Sequence, residues 1–353
     1  MRTRPPAWQA VALTGLMLAL LAGCEQQALP AGREAKPLLH ASPVVVEVCG
    51  QSQSYAAVPQ RAITHDVNIT EMFLFLGLGD KLVGYSGISS KKEIAPDFEA
   101  ALDRLPNLSS QEMNLEAMVA ARADFVFAGW SYGFVSGGVT PELLAGHGIA
   151  SYVLSESCIR VRPRPRVALE DVEQDLQNMA RIFGVQQQVQ GRIAQLRQAR
   201  ERLARQMQGN TETPRVFVFD SGEKIPMTAG RLGMPQAILT AAGARNIFDD
   251  IPSNWPLGNW EDMLARDPEW IVIVDYGLPS AQGKIDFLLS KPELAQVSAI
   301  RNRRFFVMRY AEATPGPRSV QAAQRLAAAL HPQRQITQDD VLMQAATSAG
   351  ERP

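Results

Sequence analysis

The segment Asn114-Leu115-Glu116-Ala117-Met118-Val119-Ala120 returns 145 residues later as Asn259-Trp260-Glu261-Asp262-Met263-Leu264-Ala265. The register then runs on without a gap, so that Asp124-Phe125-Val126-Phe127 falls on Glu269-Trp270-Ile271-Val272. In each copy the Asn can cap a helix, an acid sits in the first turn where the helix dipole favours it, and apolar residues follow at helical spacing. Each copy reads as helix, then strand. Local chemistry accounts for an Asn cap and a first-turn acid. It does not account for Asn, Glu, Met and Ala recurring at one offset, whereas equivalent places in two similar half-proteins do.

Six short apolar runs, at 61–64, 124–127, 150–154, 215–219, 270–274 and 305–308, alternate with helical patterns, which is the signature of parallel sheets covered by helices. Three precede and three follow a stretch from 169 to 207 that reads as helix broken near Gly184. Its second half, 185–207, contains no Pro and rises about 1.5 Å per residue, over ~30 Å in all. Such a rod can bridge two lobes or lie on one larger domain, and the repeat argues for two lobes. The expected fold is therefore α/β, two Rossmann-like lobes joined by a single long α-helix. The N-terminal lobe spans 43–167, a helical linker 168–209 and the C-terminal lobe 210–333, with a C-terminal tail at 334–353.

At the N-terminus, Arg2 and Arg4 precede an apolar stretch, 11–21, of signal-peptide length and too short to span a membrane. It ends in Leu21-Ala22-Gly23-Cys24, which resembles the bacterial lipobox. Residues 1–23 are thus expected to be a signal peptide, Cys24 the lipidation site and 24–42 a flexible tether. This places the chain on the periplasmic face of the cell envelope, lipid-anchored, at the inner membrane rather than the outer. Lys+Arg 35 against Asp+Glu 36 gives a formal charge of -1, with no sign of nucleic acid or of an electrostatically held membrane surface as partner. In an oxidising compartment the remaining cysteines, Cys49 and Cys158, are expected to form a disulfide, the alternative being two separately buried thiols. His40, His65, His147 and His331 are scattered and offer no ligand pair at metal spacing, so no metal site is expected and any metal arrives already chelated.

Several segments together resemble the class III periplasmic (substrate-binding) proteins of ABC importers, the group that takes ferric siderophores, haem and cobalamin. They are the opening strand and helix, from Arg61-Ala62-Ile63-Thr64 through Asn68-Ile69-Thr70-Glu71 to Gly84, the two Asn-x-Glu helices, and Pro315-Gly316-Pro317-Arg318 with the helix after it. The resemblance covers nearly the whole mature chain. It implies a monomer that captures a small-molecule chelate between its lobes and hands it to a permease dimer with its ATPase subunits. It implies no enzyme activity and no cofactor beyond the ligand itself. It further implies that Glu116 and Glu261 meet arginines of the permease, and two carboxylates held on rigid elements can orient a partner bearing paired positive charges. Glu71, at capping-box spacing from Asn68, reads as structural.

Ligand contacts are expected just after the strands, where a lobe pair binds. Those segments carry Tyr85, Trp130, Tyr132, Trp255, Tyr276 and Tyr310, rigid rings suited to a large planar or macrocyclic ligand. Lys224, Arg231, Glu312 and Arg318 stand in the same segments, and arginines there could hold the negative charge of a ferric chelate. Arg160, Arg162, Arg164 and Arg166 form an extended basic segment that either rims the cleft or is solvated. The expected ligand is an iron–siderophore chelate, with a corrinoid or haem as the alternative. A ligand sensor and a serine hydrolase are the rival classes. Gly129-Trp130-Ser131-Tyr132-Gly133 matches G-x-S-x-G after a strand, but a nucleophile elbow leads at once into a helix, and here the first helix start is Thr140-Pro141-Glu142.

Overall fold

A computed structural model describes residues 38–89 and 92–342. The expected signal peptide, Cys24, most of the expected tether and the end of the tail lie outside the described residues. The strands are β1 (Leu39–Val48), β2 (Gln51–Ala57), β3 (Ala62–His65), β4 (Leu82–Ser86), β5 (Asn107–Ser109), β6 (Phe125–Trp130), β7 (Gly133–Phe134), β8 (Ala150–Val153), β9 (Arg215–Phe219), β10 (Arg245–Asn246), β11 (Trp270–Asp275) and β12 (Phe305–Arg309). All six apolar runs are strands. One sheet is ordered β5-β4-β3-β6-β7 with β8 also paired to β6, and another β10-β9-β11-β12. Every pairing within these two sheets is parallel. Parallel strands covered on both faces need continuous apolar sequence, and β3, β6, β9 and β11 are buried almost throughout. Each sheet is wound outward from its first strand, β3 or β9, in both directions, so the two halves share one layout.

The rod between them is the helix Gln186–Gln206. Val189, Ile193, Leu196, Ala199 and Leu203 bury a stripe at three- and four-residue spacing, the face an amphipathic helix turns to its support. It packs on the helix Glu170–Ile182 in the first half and on Ser319–Leu330 in the second. Gly184, at φ 68°, takes the left-handed position that ends the preceding helix and starts the rod in a new direction. From Leu38 onward the chain is one compact unit, and a continuous apolar core runs from β3 to the Ser319–Leu330 helix. No helix among the described residues is long and apolar enough to cross a membrane.

Three local expectations need correction. The tether expected to reach residue 42 ends sooner, because β1 and β2 form an antiparallel hairpin from Leu39. Val46 and Val48 turn inward, and buried Tyr55 donates its hydroxyl to the Ser151 carbonyl at 2.7 Å. The hairpin turn is bridged to the segment after β8 by a Cys49–Cys158 disulfide. The tail expected from 334 is docked as far as it is described. Asp339 accepts from Arg202 at 3.1 Å and Gln324 at 2.7 Å, and Val341 and Leu342 are buried. Glu71 is structural, but not through a capping box with Asn68. Asp66 caps the Val67–Phe75 helix, and Asn68 and Glu71 face the other half of the molecule. Asn68 Nδ2 donates to the Pro315 carbonyl at 2.7 Å, and Glu71 takes Arg318 Nε at 2.9 Å and Nη2 at 2.6 Å.

Candidate functional site

Four of the aromatic candidates meet where the halves face each other. Trp255 Nε1 donates to the Tyr132 hydroxyl at 3.2 Å, and the rings of Tyr276 and Tyr310 meet edge to face at 5.7 Å. Burial pushes the Tyr310 hydroxyl well above its ordinary value, with Asp66, Tyr132 and Asp220 adding to the effect, so the tyrosines and both carboxylates share one environment. Tyr310 Oη donates to Asp66 Oδ2 at 2.7 Å and Tyr276 Oη to Asp220 Oδ2 at 2.9 Å. Burial and the Asp220 charge push the Tyr276 hydroxyl up to about 12.

The polar floor of this cleft consists of residues the sequence reading passed over. Asp66, directly after β3, holds Lys92 Nζ at 2.7 Å, and that ammonium also lies 4.4 Å from the Tyr310 ring centroid. Asp66 sits at φ 76°, ψ 154°, a conformation that costs a non-glycine residue of order 1–3 kcal/mol and that folds keep where a side chain must be aimed. Beside it, His65 Nδ1 lies 2.9 Å from Ser86 Oγ, and burial lowers the imidazole to about 4, leaving it neutral at neutral pH. Gly87 (φ 73°) and Gly133 (φ 109°) close over the imidazole, and a Cβ on either would come within 2.5 or 2.7 Å of it. On the far side, Glu156 Oε1 accepts from the Met234 backbone N–H at 2.8 Å, joining the halves, and burial pushes this carboxyl up to about 7. Its other oxygen, fully buried, has no well-formed hydrogen bond, although Tyr132 and Asn254 stand beside it. Lys284 is buried and gives its ammonium to the Asp220 carbonyl at 2.5 Å and the Val274 carbonyl at 2.6 Å, while its Nζ lies 4.1 Å from the Tyr276 ring centroid.

The other candidates are elsewhere. Trp130 lines a separate groove of about 570 Å³ with the hairpin turn and Pro141. Arg231 lines another, of about 480 Å³, with Arg166, Leu169 and Arg200. Tyr85 is half-buried in β4 itself, where burial and the Asp103 charge raise its hydroxyl, and Lys224 is exposed on the loop after β9. Arg318 and Glu312 are spent on the fold. Arg318 is sealed in the ion pair with Glu71, and Glu312 accepts from Arg325 Nη1 at 2.6 Å and from the Arg309 backbone N–H at 2.9 Å. The basic segment is mostly tied down as well. Arg160 bonds Asn254 at 3.0 Å, Arg162 the Gly50 carbonyl at 2.8 Å and Arg164 the Asp171 carboxylate at 2.8 Å. After Ser131 the chain runs into β7, and the next helix starts at Pro141, so no nucleophile elbow forms.

Glu116 and Glu261 occupy the second position of equivalent short helices, Leu115–Ala120 and Trp260–Arg266. Asn114 caps the first by accepting from Ala117 N, and Asn259 caps the second by accepting from Asp262 N. Both glutamates are exposed, and neither side chain has an ion-pair or hydrogen-bond partner among the described residues.

The sequence family described as periplasmic binding protein matches residues 63–311. A vitamin B12-binding protein of Pectobacterium carotovorum subsp. carotovorum (strain PC1) is 27% identical over 276 residues, 78% of this chain and 89% of that protein. One from Photorhabdus laumondii subsp. laumondii is 29% identical over 222 residues, covering 63% of this chain and 73% of that protein. The crystal structure of a periplasmic binding protein from Veillonella parvula dsm 2008 superposes with a TM-score of 0.71 at 26% identity, covering 82% of this chain and 98% of that one. A periplasmic heme binding protein from Pseudomonas aeruginosa superposes with a TM-score of 0.63 at 25% identity, covering 79% and 95%.

Proposed function

The chain belongs to the periplasmic binding protein family, within the group that takes siderophores, haem and vitamin B12, and on that premise we propose that it delivers a corrinoid to an ABC permease. The observation that carries the delivery reading is the pair of exposed, unpartnered glutamates at equivalent helix starts, one per half. An acid at a helix N-terminus stabilises its own helix by about 0.3–1 kcal/mol wherever it occurs. That does not explain a matched pair free of internal partners, whereas recognition of paired cations on a membrane protein does. The corrinoid takes precedence over the ferric siderophore for two reasons. Relatives named for vitamin B12 cover most of the chain, and the arginines that would hold an anionic ferric chelate lie outside the aromatic cleft or inside ion pairs. Anchoring through Cys24 at the periplasmic face completes the proposal.

Uptake of labelled cyanocobalamin tests it in cells dependent on this chain. The double charge reversal Glu116→Lys with Glu261→Lys is expected to lower uptake at least ten-fold while the purified variant binds cobalamin as the parent does. Normal uptake by the double variant would remove the docking role, and loss of binding by the purified variant would show that the glutamates act on the fold or the ligand instead.

A further inference from the structure

The first strand of each parallel sheet is followed by a buried aspartate, and the two match. Asp66 follows β3 and Asp220 follows β9, and only 2% and 6% of their surfaces are exposed. Each accepts a tyrosine hydroxyl from the second half, Tyr310 on Asp66 and Tyr276 on Asp220, and the two rings are in contact. Each has a lysine at hand, Lys92 beside Asp66 and Lys284 at the Asp220 backbone.

We infer that these carboxylates make the cleft an electrostatic filter, admitting neutral or cationic ligands rich in N–H donors and refusing ligands whose outer edge carries carboxylates or other anionic oxygens. The inference rests on the ligand-delivery reading above and sharpens it. The physical reason is asymmetry. A buried carboxylate gains from an N–H donor, and an anion brought against it has neither a partner nor water. Of the two cleft lysines, Lys284 is directed at backbone carbonyls and Lys92 is already paired, so neither is free to neutralise an incoming anion. Lys92, its ammonium held between the Asp66 carboxylate and the Tyr310 ring, marks the kind of place a ligand donor group would take. Two ligand classes satisfy the filter, an amide-fringed macrocycle and a ferric hydroxamate bearing a free amine. Haem, with two propionates, and ferric tris-catecholates do not.

The test is a set of calorimetric titrations of the purified full chain in detergent with cyanocobalamin, an amine-bearing ferric trihydroxamate, haemin and a ferric tris-catecholate. The parent is expected to bind one of the first two at least ten-fold tighter than either of the last two, and the first two arms decide between the donor-bearing classes. Asp66→Asn with Asp220→Asn removes both charges while keeping shape, and Asn caps a helix as well as Asp does. In that variant the preference is expected to narrow at least ten-fold. Tightest binding of haemin or the catecholate by the parent overturns the filter and leaves the delivery reading standing, and this arm needs no variant to fold. An unchanged preference in the double variant also overturns it. If no probe binds at all, the filter and the corrinoid assignment fall together.

Discussion

Glu156 and Asp175 are carboxyls sealed in the protein without a cation bonded to them, and burial pushes each up to about 7. Asp175 is held by the hydroxyls of Tyr152 at 2.7 Å and Ser155 at 2.5 Å, Glu156 by the Met234 backbone N–H at 2.8 Å. An acid whose folded value lies above its unfolded one binds its proton more tightly when folded, so stability falls as pH rises between the two values. Each such group contributes about 1.4 kcal/mol per pH unit in that window. His65 works the other way from its folded value of about 4 up to 6.5, because the unfolded imidazole takes up a proton that the folded one refuses. From pH 5 to 6.5 the histidine offsets one carboxyl, and from 6.5 to about 7 both carboxyls act unopposed. Thermal unfolding is therefore expected at lower temperature at pH 8 than at pH 5.5, with the steepest change near neutrality. Glu156→Gln, which keeps the acceptor for Met234, should weaken that slope. A melting temperature that rises over this interval would show that these carboxyls are ionised in the folded protein.

The interlobe helix is amphipathic by position more than by content, since its buried face is five residues wide in a run rich in Gln and Arg. Leu196, fully buried at its middle, therefore bears a large share of the contact between rod and lobes. Leu196→Ala is expected to cost about 2–5 kcal/mol by denaturant titration, as buried leucine truncations do, against ~0.5 kcal/mol or less for exposed Arg205→Ala. Equal costs would mean that the helix is a solvated strap. This element was legible because it is long and periodic, and so were the six apolar strands, four of them buried almost throughout. The β1–β2 hairpin was not. Pro43 interrupts its first strand and Gln51-Ser52-Gln53-Ser54 opens its second, because one face of each meets water and only Val46, Val48 and Tyr55 turn inward. The site divides in the same way. Rings after strands announce themselves, whereas an aspartate after a strand looks like any turn former until its partner is known. For Asp66 that partner is Tyr310, 244 residues on. Arg318 misled for the same reason, its carboxylate lying 247 residues away in a helix that reads as capped by its own residues.

At the scale of the molecule, the two halves are joined by far more than the rod. Glu71 and Arg318 form a buried ion pair between them, and removing one partner of such a pair typically costs ~3–5 kcal/mol because a charge is left alone. Asn68 to Pro315, Tyr310 to Asp66, Met234 to Glu156 and Trp255 to Tyr132 cross the same boundary, on both sides of the aromatic cleft. Wide opening would break all of these and bare a core that is continuous across the halves. Admission of a ligand then belongs to side-chain rotation around the cleft, with the lobes nearly fixed. Spin labels at exposed Val119 and Ile225, one per half, are expected to give a single narrow distance distribution that ligand leaves in place. Breaking the ion pair with Arg318→Met should broaden it in the free protein and let ligand narrow it again. A parent protein that already shows two separated distances, collapsing to one on binding, would mean that the rod bends and that closure, instead of a preformed cleft, supplies the selectivity.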